Sequence, residues 1–179
     1  MFLKRFLFIF QNNVRESSLQ VVKNTQGFYT GLVENDIKML SATLDTFTAN
    51  QAFKQLFTKG DISALQKAGE ELFFHNRSRY GITHFYYMDN DGICRLRMHQ
   101  PTLSGDKITR ATFEAAKKNR RLASGIELGK TAYALRVVVP YLDNGSQIGF
   151  IEFGEEIDHF NSIVKKETGI DIVLLGDKK

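Results

Sequence analysis

The side chains best suited to chemistry gather in two stretches. The first is His84-Phe-Tyr-Tyr-Met88 followed by Ile93-Cys-Arg-Leu-Arg-Met-His99, and the second runs from Glu127 to Arg136. A guanidinium can grip a carboxylate through two parallel hydrogen bonds, and imidazole or phenol groups add single donors or acceptors. Arg97, Arg136, His99, His84 and Tyr86 are therefore the parts of a pocket for a small anion. Glu127 belongs with them either as a ligand contact or as the partner of Arg136. Other chemistries fit less well. His84, His99 and Glu127 lack the compact spacing of a metal site, so no metal or other cofactor is expected. Ser104 near His99 suggests a nucleophile and base, but no GxSxG motif accompanies them, and Ser104 or Asp106 also suits a helix cap. Asp89-Asn-Asp-Gly92 lacks the calcium loop that ends in glutamate and reads as a turn. The lone Cys94 can form neither an internal disulfide nor a CxxC site.

Positioning these groups falls to a chain whose periodicity changes near Gly81. Upstream, Phe28, Leu32, Ile37, Leu40, Leu44 and Phe47 recur at helical spacing, which predicts one long helix from about Val14 to Phe57. Lys59-Gly60-Asp61 ends it, and Asp61 caps a further helix that stops near Arg79 to Gly81. Downstream, apolar and polar residues alternate in hairpins that turn at Asp89–Gly92, Gly129-Lys130 and Asn144-Gly145. Between the first two hairpins, 106–120 reads as a helix with Ile108, Thr112, Phe113 and Ala116 on one side. Glu155 to Glu167 reads as another helix, and Asp171 to Leu175 as a last short strand. The expected architecture is α+β: an antiparallel sheet of about five strands with the long N-terminal helix on one face.

Residues opposite one another in a hairpin share a face, so each turn predicts which side chains meet. The first turn sets either Tyr86 opposite Arg97 with His84 opposite His99, or His84 opposite Arg97. Both put His84, Tyr86, Arg95, Arg97 and His99 on one face, with Phe85, Tyr87, Cys94, Leu96 and Met98 on the other. The second sets Glu127, Gly125 and Ala123 opposite Ala132, Ala134 and Arg136, and gives Ile126, Leu128, Tyr133, Leu135, Val137 and Val139 to the packed face. The third adds Gly149, Ile151 and Phe153 to the pocket side. Small floor residues with a few fixed donors suit a small anion. A solvated face, on which Arg136 simply pairs with Glu127, is the plainer alternative.

Composition is that of an ordinary globular chain, with 42% hydrophobic and 25% charged residues among 179. The net charge of +4 arises from 24 basic and 20 acidic residues without a basic stripe, so nucleic acid is not expected as a partner. The apolar opening, 1–10, carries Lys4 and Arg5 and falls short of the roughly 20 apolar residues that span a bilayer. It reads as a helix end that packs on a partner.

Taken together, Asn76-Arg-Ser-Arg-Tyr-Gly81, Phe85-Tyr-Tyr, Asp91-Gly92, Leu96-Arg-Met-His-Gln-Pro101, Gly105-Asp106, Gly125-Ile-Glu-Leu-Gly129, Leu135-Arg-Val-Val-Val-Pro140 and Ile148-Gly-Phe-Ile-Glu-Phe-Gly154 resemble the Cache superfamily of PAS-like sensor domains. The likeness runs over about residues 30 to 175. It implies a periplasmic, ligand-binding sensor domain of a bacterial chemoreceptor or sensor kinase in the inner membrane, with no enzymatic activity. Its ligand would be a small carboxylate or amino acid held by Arg97, His99 and Arg136, with Tyr86 and Tyr133 on the pocket strands. Residues 1–58 would form the membrane-proximal helix that pairs two copies, and 59–179 the sensory module. The membrane segments and output module would lie outside this chain. A dimerisation module without ligand and a small hydrolase are the rival readings.

Overall fold

In a computed structural model, residues 2–129 and 132–173 are described. The chain divides into two compact units, residues 35–157 and residues 1–34 together with 158–179. The elements in order are α1 Phe2–Thr48, α2 Gln51–Lys59, α3 Ile62–Tyr80, β1 His84–Met88, β2 Cys94–Arg97, α4 Ala111–Asn119, β3 Ala123–Leu128, β4 Tyr133–Asp143, β5 Ser146–Glu156 and α5 Asp158–Thr168. The five strands form one antiparallel sheet in the order β2-β1-β5-β4-β3.

Several boundaries differ from those expected, each for a local reason. The helix expected through Phe57 breaks at Asn50, whose extended backbone lets its side chain accept the Phe53 N–H at 3.1 Å and start α2. An asparagine that can satisfy an orphan amide competes well with continuing the helix. Asp61 caps α3 by accepting the Ala64 N–H at 3.1 Å, and Gly81 closes it at φ +69°. The fourth helix begins at Ala111 and not at Asp106, because 105–107 run beside β2, joined by Cys94 N–H to Asp106 O and an Ile93–Lys107 bridge. Strand β5 extends through Glu156, so α5 starts at Asp158. The last strand is not present over 171–173, and its end, like the Lys130 half of the expected second turn, lies outside the described residues.

Within residues 35–157, α1, α2 and α3 cover one face of the sheet. Phe47 meets Phe85 and Phe153 edge-on at 4.7 and 5.4 Å, and Phe57 packs between Tyr87 and Tyr141. Leu40, Leu44, Leu65 and Phe73 are fully buried with them. At roughly 1.5–3 kcal/mol for each large side chain withdrawn from water, this layer dominates the stability of the unit. On the opposite face α4 seats Phe113 edge-on against Phe150 at 5.1 Å, beside Tyr86, Met88, Cys94, Ile108 and Val138. In the other unit, Tyr29 of α1 meets Phe160 of α5 edge-on at 5.8 Å. No helix among the described residues is long and apolar enough to cross a membrane.

Three registers correct the sequence reading. Tyr86 does pair with Arg97, but a bulge between Tyr87 and Met88 sets Met88 opposite Cys94. Cys94 therefore shares the face of Tyr86, and Arg95 becomes the extra residue, turned to solvent 3.9 Å from Asp89. The second hairpin is shifted by two residues, pairing Gly125 with Arg136 and Glu127 with Ala134, and the Gly129 N–H donates to Ala132 O beyond its last pair. A shift of two keeps every face. The third hairpin has a second bulge, between Tyr141 and Leu142, so that Arg136 pairs with Gly154. Gly149, Ile151 and Phe153 thus face the helices, and Phe150, Glu152 and Gly154 take the other side.

Candidate functional site

Tyr86 sits at the centre of the site because β1 is flanked by β2 and β5, which place Arg97 and Glu152 directly across from it. Arg136 enters from β4 and Arg110 from the residue before α4. The three guanidinium carbons stand 5.3 Å (Arg97), 4.9 Å (Arg110) and 6.0 Å (Arg136) from the Tyr86 ring centre. The negative face of the ring favours such company.

Buried cations need partners. Glu152, fully buried, accepts from Arg110 Nη2 on both oxygens and from Arg136 Nη1, each at 2.6 Å. Glu127 spends its two oxygens on the Thr112 N–H and hydroxyl at 2.9 and 2.8 Å, capping α4 from the sheet. It stays 3.9 Å from the Nε atoms of Arg110 and Arg136. Both of those Nε–H groups are buried without a hydrogen-bond partner. Arg97 donates to Asp106 Oδ2 at 2.6 Å and to the Leu103 carbonyl at 2.7 Å.

Between these groups lies a cavity of about 250 Å³. His84, Tyr86, Arg97, His99 and Arg136 line it, and Arg110, Gln100, Leu103, Gly129 and Ala132 complete the wall. At ~30 Å³ per water-sized group, it has room for a ligand of roughly eight non-hydrogen atoms. A Cβ at Gly129 would come 3.3 Å from Arg136 Nη2, so the small residue there makes space for the guanidinium.

The two histidines are neutral. Burial first, then the charge of Arg136, lowers the His84 pKa to about 3. Burial likewise lowers that of His99 to about 4, against a raising contribution from its contact with Phe85. His99 Nδ1 lies 3.1 Å from the Phe85 amide nitrogen and 3.3 Å from the Phe85 carbonyl oxygen, so the backbone of β1 holds the ring in place. Unfolded imidazoles take up protons near pH 6.5, whereas these two resist until about 4 and about 3, so the unfolded state binds more protons across that window. As pH drops from about 6.5 towards 5 the two histidines therefore lower stability, while Glu155, whose pKa burial raises to about 8, opposes them because the folded state then holds its extra proton. Thermal unfolding at both values checks this: on acidification His84→Asn with His99→Gln should lose less stability than the parent, or gain it. Cys94, by contrast, is a buried thiol whose pKa burial pushes up to about 11, which leaves it protonated and a poor nucleophile.

Of the seven residues the sequence singled out, five line one cavity: His84, Tyr86, Arg97, His99 and Arg136. Glu127 is beside it but serves α4 and the guanidiniums. Tyr133 lies on the sheet face opposite to Arg136, pairs with Leu128, and does not line the cavity. Arg110 and Glu152 were missed. A lone carboxylate inside the apolar run Gly149-Phe-Ile-Glu-Phe153 was the available signal for Glu152; nothing local marked Arg110. Among the described residues no hydrogen bond joins Ser104 to His99, so the nucleophile-and-base pair is not assembled.

Comparison with known proteins places this geometry. A family described as the double sensory domain of two-component sensor kinases matches residues 16–179. Among solved structures, the sensor domain of DcuS from E. coli superposes with a TM-score of 0.60 at 21% identity, covering 77% of this chain and 98% of that one. A domain of a sensory box/GGDEF family protein from Vibrio parahaemolyticus gives 0.57 at 15% identity, covering 79% of this chain and 61% of that one. The sensor domain of the V. cholerae histidine kinase DctB gives 0.56 at 14% identity, covering 75% and 59%. The chain thus spans about three fifths of the length of the last two. At these identities the likeness is one of fold. No curated protein sequence matches the chain.

Proposed function

Starting from the chain's membership of the Cache-type family of double sensory domains of two-component sensor kinases, we propose that its cavity beside Tyr86 receives a small anionic ligand, a carboxylate or an amino acid. The observation that carries this reading is the convergence of Arg97, Arg110 and Arg136 with His84, His99 and Tyr86 on one cavity of about 250 Å³. Charge-assisted donors gathered in such a site suit the oxygens of a small anion. Neutral His84 and His99 add donors without adding charge.

In this reading the domain works on the extracytoplasmic side of a bacterial inner-membrane receptor, a sensor kinase or chemoreceptor, and is not an enzyme. Residues 1–58 would be the membrane-proximal helical part and 59–179 the sensory module. Ligand shifts the population of receptor states only through its differential affinity for them. A second copy would pack along α1, where Val14, Val21 and Phe28 recur every seventh residue and remain partly exposed, at 49%, 48% and 36%.

A thermal-shift panel of small carboxylates and amino acids tests the proposal, with Arg97→Ala and Arg136→Ala alongside. A ligand at 100 times its dissociation constant stabilises by about 2.7 kcal/mol, a rise of several degrees in a domain of this size. The expected result is a rise with one ligand class that either substitution abolishes. No rise with any anion, together with a tight dimer, would instead favour a structural module whose pocket is satisfied by its own carboxylates.

A further inference from the structure

The three guanidiniums of the cavity differ in what holds them. Arg110 and Arg136 share Glu152, which has no exposure and no water to turn to. Arg97 is itself buried, its side chain 9% exposed, but its carboxylate partner Asp106 is 49% exposed. A half-exposed carboxylate that lets go regains hydration; a fully buried one is left stranded. Arg97 is therefore the cation whose partner can be exchanged.

The backbone around Asp106 localises such an exchange. Cys94 N–H donates to Asp106 O at 2.9 Å and Gly105 N–H donates to Cys94 O at 2.8 Å, so the main chain is pinned to β2 while the side chain of Asp106 stays half exposed. The other acceptor on Arg97 is the carbonyl of Leu103, at 2.7 Å. Residues 101–104 are exposed, and apart from the local Leu103 N–H to Gln100 O turn bond, Arg97 is their tether among the described hydrogen bonds.

We infer that Asp106 is a built-in stand-in for the ligand's carboxylate: an anion entering the cavity takes Arg97 from Asp106 and Leu103 and thereby releases the loop 101–104. This deepens the anion-binding reading above and rests on it. Both acceptors leave together because one guanidinium edge serves both, and a bidentate carboxylate matches that edge. Binding at this site then loosens a segment of the wall, where simple closure over a ligand would tighten it.

The test is calorimetric titration of the domain with acetate, malonate and glycine at fixed ionic strength, comparing the parent with Asp106→Asn. The amide keeps the side chain's shape and a weaker acceptor for Arg97. For any anion that binds the parent, Asp106→Asn is expected to bind on the order of tenfold more tightly, while Asp91→Asn, an exposed acid on the neighbouring turn, stays within about twofold. Equal or weaker binding by Asp106→Asn, or an equal gain in Asp91→Asn, overturns the inference and leaves the anion-binding reading standing. Absence of binding by both proteins removes both. Amide exchange on the parent decides independently of any variant: faster exchange over 101–104 with bound anion supports release, and unchanged or slower exchange there overturns it.

Discussion

Glu152→Gln is expected to lower the melting temperature by on the order of 10 °C, although the change removes no volume. Glu152 is fully buried and accepts three hydrogen bonds of 2.6 Å from Arg110 and Arg136. Taking away one partner of a buried ionic cluster costs about 3–5 kcal/mol, because the remaining charges stay out of water without compensation. In glutamine, moreover, an amide N–H₂ points where a guanidinium N–H must donate. For a chain of this size that loss corresponds to the stated shift. Circular dichroism melts check it. Replacing all three charged groups together, as Glu152→Met, Arg110→Met and Arg136→Met, should recover much of the stability while eliminating any anion response. A melting point within about 2 °C of the parent for Glu152→Gln would mean that the cluster is solvated and that Glu152 does not balance the arginines.

Gly149→Ala is expected to be nearly as damaging, for a purely steric reason. A Cβ built there would overlap the Met88 carbonyl oxygen and come 3.0 Å from the Phe57 ring. A ring can tilt, but the carbonyl belongs to the β1–β5 ladder, where Met88 pairs with Phe150. One added methyl must therefore push two paired strands apart, and overpacking of this kind costs on the order of 3 kcal/mol. Urea unfolding should show a lower midpoint for Gly149→Ala. Gly145→Ala is no neutral control, because it sits at φ +79°; Ser146→Ala, exposed at the start of β5, should leave the midpoint unchanged. A midpoint for Gly149→Ala equal to the parent's would show that the two strands are not held in this close approach.

Much of the fold was written locally. The change from helical to alternating periodicity near Gly81 marked where the sheet begins, Asp61 and Gly81 announced the ends of α3, and each hairpin turn lay close to where its residues pointed. Turn geometry offered the pairing of Tyr86 with Arg97 as one of two registers, and the structure adopts it, with the ring centres of His84 and His99 4.9 Å apart. A two-residue error in the second hairpin did no harm to the site, because side chains repeat every second residue along a strand and Arg136 kept its face.

A one-residue error does the opposite. The bulges near Met88 and at Tyr141–Leu142 each insert a single extra residue, and each moves the residues on one side of it to the other face of the sheet. Cys94 changed face at the first. At the second, Gly149, Ile151 and Phe153 exchanged places with Phe150, Glu152 and Gly154, and the carboxylate that balances Arg110 and Arg136 came into view. Arg110 itself reaches Glu152 across 42 residues of chain. The sequence by itself determined most of the elements, their order and five of the cavity's side chains, since periodicity and turn chemistry act over a few residues. Strand register and the partners of the buried charges were decided only by the tertiary structure. A bulge is stabilised by packing between strands and helices far apart in the chain, and a buried charge takes whichever opposite charge that packing delivers.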